Sequence, residues 1–200
     1  MSAILQFDEH LFQIINGHWH NDLMDYIMPL WRDKKFWIPA YIIGAGYLVW
    51  KYKLRSIFFI LSILLTVAVA DAMSSKLIKK TVQRPRPCRN EALAQDLQLL
   101  VPCGGGYSFT SSHATNHFAL AVFLITLFGG MRRRWKYLLL FWAGSIAFGQ
   151  VYVGVHYPFD VLAGAILGSV IGFVMAKLLL TTKLGQKLLF GGSGKRKSVV

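Results

Sequence analysis

Hydrophobic and polar positions alternate along this chain on two different scales. Over the first 31 residues Ile4, Leu5, Leu11, Phe12 and Ile15 recur at helical spacing while Asp8, Glu9 and Gln13 lie elsewhere on the helix, and residues 23–31 repeat the pattern more briefly. Neither piece is long enough to cross hydrocarbon, so both are predicted to be amphipathic helices lying at an interface. The link between them opens with the turn-forming pair Asn16-Gly17. Farther along, the scale changes to five apolar runs, at residues 36–50, 56–74, 114–130, 137–155 and 158–181. Trp37 and Trp50 bracket the first run like interfacial anchors, although Pro39 falls inside it. The pattern predicts an all-α integral membrane protein, a helical bundle of about five to six transmembrane helices with N-terminal amphipathic helices.

Composition agrees with that class. A hydrophobic content of 54% and a mean hydropathy of +0.45 are too apolar for an ordinary soluble domain of 200 residues. A net charge of +13 would suit nucleic acid, but the basic residues fall in short clusters between apolar runs, as membrane-flanking charges do, so no nucleic-acid partner is expected. Lys51, Lys53 and Arg55 form one cluster, Arg132, Arg133, Arg134 and Lys136 a second, and residues 183–197 a third. Asp8, Glu9, Asp22, Asp25, Asp33, Glu91 and Asp96 all lie on the opposite side. The positive-inside rule therefore predicts a multi-pass protein of the cytoplasmic (inner) membrane whose basic loops are cytoplasmic, while the N-terminus, the loop 80–112 and the start of the last run face outward. No signal peptide is expected, since the first ten residues lack a basic leader, an apolar core and a cleavage site. Residues 1–182 are read as a single membrane-embedded domain, with 1–32 its amphipathic segment. Residues 183–200 are read as a basic cytoplasmic tail whose end, GGSGKRKSVV, is flexible and contacts lipid headgroups.

Candidate chemistry gathers on the outward side. In residues 149–160, GQVYVGVHYPFD, Pro158 suits a first helical turn, which puts His156 just before the helix and Asp160 inside that turn. A carboxylate there is favoured by the helix dipole and can reach back to a ring N–H of His156, fixing its tautomer and raising its basicity. Residues 79–87, KKTVQRPRP, place Lys79 seven positions before Arg86 in a proline-stiffened segment, and fixed cations suit a phosphoryl group. Residues 109–116, FTSSHATN, place Ser111 and Ser112 as caps at a helix start, an anion site with His113 at its mouth. Asp71, an acid inside an apolar run about two turns from Lys79, is expected to be a structural partner of Lys79 or to make a hydrogen bond within the bundle. Cys88 and Cys103 share the outer loop; they form a disulfide in an oxidising compartment, worth roughly 3 kcal/mol in the chain-entropy model, and stay free thiols in a reducing one. His18 and His20 have no third ligand nearby, so no metal site is expected there.

Together these residues resemble the type 2 phosphatidic acid phosphatase, or lipid phosphate phosphatase, superfamily. Its Lys-x6-Arg-Pro motif is matched by Lys79, Arg86 and Pro87. Its Pro-Ser-Gly-His motif falls on residues 110–113 and is matched at Ser111 and His113. Its Ser-Arg-x5-His-x3-Asp motif falls on residues 149–160 and is matched at His156 and Asp160. The resemblance covers about residues 70–175 and implies a metal-independent phosphatase, without a cofactor, working through a phosphohistidine. His156 would attack phosphorus, Asp160 would orient it, and His113 would protonate the leaving oxygen. Lys79, Arg86, Ser111 and the backbone near Ser112 would hold the phosphoryl oxygens.

One departure bears on activity. Gln150 stands where the family has an arginine, and Arg84 or Arg89 is expected to replace part of the missing charge. The substrate implied is a lipid phosphate or diphosphate, a polyprenyl diphosphate such as undecaprenyl diphosphate first, with phosphatidylglycerol phosphate and lipid A phosphates as rivals. A non-catalytic lipid-phosphate binder or transporter on the same scaffold is the alternative from another class. The sequence specifies no oligomeric state.

Overall fold

The computed structural model describes residues 3–93 and 95–190, and outside turns and the outer loop it holds them in helices. The basic end at residues 191–200 lies outside the described residues. Two short helices, α1 (Ala3–Gln13) and α2 (Asp22–Trp31), precede α3 (Ile38–Tyr52) and α4 (Ser56–Asp71). A π-helical stretch, Ala72–Ile78, carries α4 directly into α5 (Lys79–Val82). After the outer loop come α6 (Ser112–Leu127), α7 (Arg133–Tyr152), α8 (Pro158–Thr181) and α9 (Lys183–Phe190). Two helical stretches, Ile38–Leu93 taken as one run and Pro158–Thr181, are long and apolar enough to cross a membrane.

The helices α3, α4, α6, α7 and α8 fall on the five predicted apolar runs, with ends displaced by a few residues. The largest displacement is at α4, where the helix continues past its apolar run to Val82, so Lys79 projects from a helix and not from a loop. Gln83, in the left-handed region at φ 53°, ends it, and its N–H closes on the Lys79 carbonyl. Pro85 and Pro87 then prevent the helix from resuming.

The bundle turns apolar side chains outward. Ile42, Ile43, Leu61, Leu64, Phe141, Leu162 and Ile166 are all exposed, the surface a hydrocarbon solvent requires. Its interior is built on close approach, because lipid supplies no hydrophobic drive between helices. Gly164, Gly168 and Gly172 are buried on α8 and recur every fourth residue against α6. A Cβ on Gly164 would lie 2.7 Å from the Ser111 carbonyl, and one on Gly168 would strike the Thr115 carbonyl and lie 2.9 Å from Ala119 N. Far from the site, Phe59, Phe123, Leu127 and Ala176 pack into one buried cluster. The result is that the starts of α6 and α8 lie side by side, joined by a 3.0 Å bond from Ser111 N to the Asp160 carbonyl.

The N-terminal segment departs from the expected interfacial placement of its polar side chains. Asp8, read as part of a polar helix face, is fully buried, as is Asn16. Asp8 accepts from Phe159 N at 2.8 Å, and Phe12 packs edge-on against Tyr157 with ring centroids 5.5 Å apart. Asn16 donates to the Gln98 and Tyr152 carbonyls at 2.8 and 2.7 Å and accepts from Gln98 N at 3.0 Å. The physical reason is that these side chains satisfy backbone groups of the outer loop and of the α7–α8 turn, which would otherwise be buried without partners.

Candidate active site

His156 occupies the turn between α7 and α8. Gly154, at φ 87°, makes that turn possible: a side chain there would be strained, and a Cβ would meet the Gln98 carbonyl at 2.9 Å. Pro158 then opens α8, and Asp160 in its first turn accepts from Tyr157 N at 2.9 Å, closing the helix start. The same carboxylate oxygen, Oδ2, lies 3.3 Å from His156 Nδ1, so one aspartate both caps the helix and orients the histidine. Ser108 donates to that oxygen as well and approaches His156 Nδ1 at 3.4 Å.

With Nδ1–H directed at Asp160, the lone pair of His156 resides on Nε2. Arg86 Nη1 faces it at 3.2 Å and also donates to the Val155 carbonyl at 3.0 Å. Burial lowers the His156 pKa to about 4, against the opposing pull of Asp160, so the imidazole is neutral near pH 7. A neutral ring with a free lone pair beside a guanidinium is equipped to attack an electrophile that carries negative charge.

The cations are fixed by carbonyls of the outer loop. Lys79 Nζ donates to Tyr107 and Ser108 at 2.9 and 3.0 Å, Arg86 Nη2 to Gly105 at 3.2 Å, and Arg89 to Gly104 and Gly106 at 3.0 and 3.3 Å. A disulfide joins Cys88 to Cys103 and pins this loop beside the arginines. Of the two expected substitutes for the missing motif arginine, Arg84 pairs with carboxylates: its Nη1 lies 2.7 Å from Asp8 Oδ2 and 2.9 Å from Asp160 Oδ1, and its guanidinium stacks 3.8 Å above Tyr157. Arg89 serves the loop.

At the third edge, His113 is the second residue of α6, whose start is bonded to that of α8 through Ser111 N and the Asp160 carbonyl. Ser111 accepts from Ala114 N at 3.4 Å as the cap of α6, and Ser112 bonds to Ser74 at 2.9 Å. Asp71 accepts from Asn116 at 3.0 Å, a bond between α4 and α6 and not to Lys79. Gln150 is fully buried near the end of α7, where its Oε1 accepts from Arg32 Nε at 3.0 Å. His18 and His20 part company: His20 binds Asp25 at 2.7 Å, while His18 meets the Gln13 carbonyl. Among the described residues, no three His, Cys, Asp or Glu side chains gather as a metal-holding group.

Sequence reasoning missed Ser108, Asp8 and Arg32. Asp8 alone left a trace, an acid close to apolar positions of a short helix; Ser108 and Arg32 reach the site only through tertiary folding.

The family model described as the PAP2 superfamily matches residues 57–183, and the chain belongs to that superfamily. It is 36% identical over 174 residues to the lipid A 4'-phosphatase of Bacteroides thetaiotaomicron, covering 84% of this chain and 74% of that one. It is 28% identical to the undecaprenyl-diphosphatase BcrC of Bacillus subtilis, over 82% of this chain and 80% of that one. Among solved structures, the crystal structure of Aquifex aeolicus LpxE superposes with a TM-score of 0.65 at 26% identity, over 86% of this chain and 95% of that one.

Proposed function

We propose that this member of the PAP2 superfamily, a metal-independent membrane phosphatase, releases phosphate from a lipid phosphate through a phosphohistidine on His156. The observation that carries the reading is the pairing of His156 Nδ1 with Asp160 while Nε2 faces Arg86. In the first step Nε2 forms a bond to phosphorus as the bond to the leaving oxygen breaks, and His113 gives that oxygen a proton. In the second step a water loses its proton to His113 and attacks phosphorus, and the N–P bond breaks to release phosphate. Lys79 and Arg86 stabilise the charge on the equatorial oxygens, the main requirement of phosphoryl transfer.

The site sits where α6 and α8 begin, on the side away from the basic clusters. We read it as extracytoplasmic, reached from the bilayer by a substrate whose tail stays in lipid, with five helices crossing. For the substrate, the 36% identity to a lipid A 4'-phosphatase supports a lipid A 4'-phosphate. The likeness to BcrC supports the second reading, a polyprenyl diphosphate. A panel of purified lipid phosphates, read by phosphate release with a chelator present, tests both. Release is expected to survive chelation and to vanish in His156→Ala and His113→Ala. Turnover persisting in both variants refutes the phosphohistidine mechanism, and absence of release from the parent returns the scaffold to a binder or transporter.

A further inference from the structure

Gln150 stands at the position of the motif arginine, fully buried and uncharged. Its amide is only half used: Oε1 accepts from Arg32, and Nε2 is buried without a partner among the described residues. Arg86 Nε is buried and unpartnered in the same way. Partly buried Arg32 adds donors beside them, since its hydrogen bond to Gln150 uses Nε and its two terminal nitrogens make none among the described residues. Buried donors are nearly always satisfied, so a group of orphans that are all donors describes a ligand that is all acceptors. Nearby His156 awaits an electrophile bearing negative oxygens.

Arg32 is held there by the end of α2. The preceding residue, Trp31, donates to Ser145 on α7 at 2.9 Å, and Gly149 leaves room for the approach, since a Cβ on it would lie 3.3 Å from Arg32 Cβ and 3.7 Å from Met28 Sδ. Contacts run from Arg32 through Gln150, whose backbone carbonyl accepts from His156 N at 3.2 Å, to His156 and so to Arg86, 3.2 Å from its Nε2.

We propose that Arg32, oriented by Gln150, supplies from α2 the guanidinium contact to the transferred phosphoryl group that the sequence of α7 lacks. The proposal rests on the phosphatase reading above. Gln150 takes the Nε edge of the guanidinium and leaves the Nη1/Nη2 fork for two phosphoryl oxygens, the geometry in which arginine binds phosphate bidentately. Gln150 Nε2 adds a neutral donor. The positive charge required at this edge is kept, and only the element that delivers it has changed. The N-terminal segment is then part of the active site.

The test compares Arg32→Ala, Gln150→Arg and the double variant, reading kcat/KM and the inhibition constant of inorganic phosphate. Arg32→Ala is expected to lower kcat/KM by about 10²- to 10³-fold, as loss of one oxyanion donor does, and to weaken phosphate inhibition at least about 10-fold. Gln150→Arg in the Arg32→Ala background is expected to recover about 10-fold or more, which a purely structural role for Arg32 would not produce. Should Arg32→Ala fail to fold, Arg32→Lys carries the test, because it keeps stem and charge but loses the fork. A parent-like phosphate inhibition constant in the folded Arg32 variant overturns the proposal and leaves the phosphatase reading intact. Absence of phosphate release from the parent overturns that reading itself.

Discussion

Replacing Arg84 by alanine tests the electrostatic frame behind His156. The side chain is 14% exposed and lies between two carboxylates that are each 0% exposed, Asp8 on α1 and Asp160 on α8. Both acidic oxygens sit on Arg84 Nη1, at 2.7 and 2.9 Å, so they are no farther apart than those distances end to end, about 5.6 Å. Without the guanidinium the two charges repel by about 3 kcal/mol at an effective dielectric constant of about 20. That agrees with the roughly 3–5 kcal/mol lost when one partner of a buried pair is removed. At about 2–4 °C per kcal/mol for a chain of this size, melting in mild detergent should fall by on the order of 10 °C. The sign of a second substitution is the sharper part. Asp8→Asn removes one of the two stranded charges, so Arg84→Ala/Asp8→Asn should be more stable than Arg84→Ala alone. Burial already raises the Asp8 carboxyl above its ordinary value, so the folded state binds its proton more readily than the unfolded chain. The stability deficit of Arg84→Ala should therefore narrow as pH falls toward the range where Asp8 protonates. Thermal unfolding followed across pH, with phosphate release on the same samples, measures all of this. A double variant no more stable than Arg84→Ala refutes the reasoning.

Three further outcomes follow from the same structure. Because His156 titrates near 4 when folded against 6.5 ordinarily, turnover corrected for substrate ionisation should hold until pH approaches about 4. The same lowered pKa makes the His156 contribution to stability fall away as pH drops from 6.5 toward 4, and a midpoint of activity near 6.5 in a pH–rate profile would contradict both. Gly168→Ala forces a methyl against the Thr115 carbonyl and should cost about 1–3 kcal/mol, seen as a lower melting temperature, whereas a parent-like melt would show that α6 and α8 can part without loss. Unreduced, denatured protein should show no free thiol. Cys88→Ser/Cys103→Ser should lose about 3 kcal/mol, the chain-entropy value for closing a loop of 15 residues, and unchanged unfolding would assign the loop's order to its arginine bonds instead.

The sequence by itself determined the elements and the chemistry carried by short spacings. Hydropathy runs located α3, α4, α6, α7 and α8, because burial of backbone groups in lipid demands helices and a helix needs a long apolar stretch. Pro158 and Asp160 announced the start of α8 and the partner of His156, because a first-turn carboxylate and a residue four positions before it are neighbours whatever the rest of the chain does. What could not be read was every contact made across large sequence separation. Asp8 joins Arg84 and Arg32 joins Gln150 only after α1 docks on α8 and α2 on α7, and Ser108 joins Asp160 only when the outer loop folds back on the start of α8. A spacing rule sees neighbours on one helix; it is blind to two helices brought together by orphan backbone groups and a glycine stripe. Hence the charge missing at Gln150 was sought nearby in sequence, at Arg84 and Arg89. Only the tertiary structure, by packing the end of α2 against Gly149, brings Arg32 to Gln150.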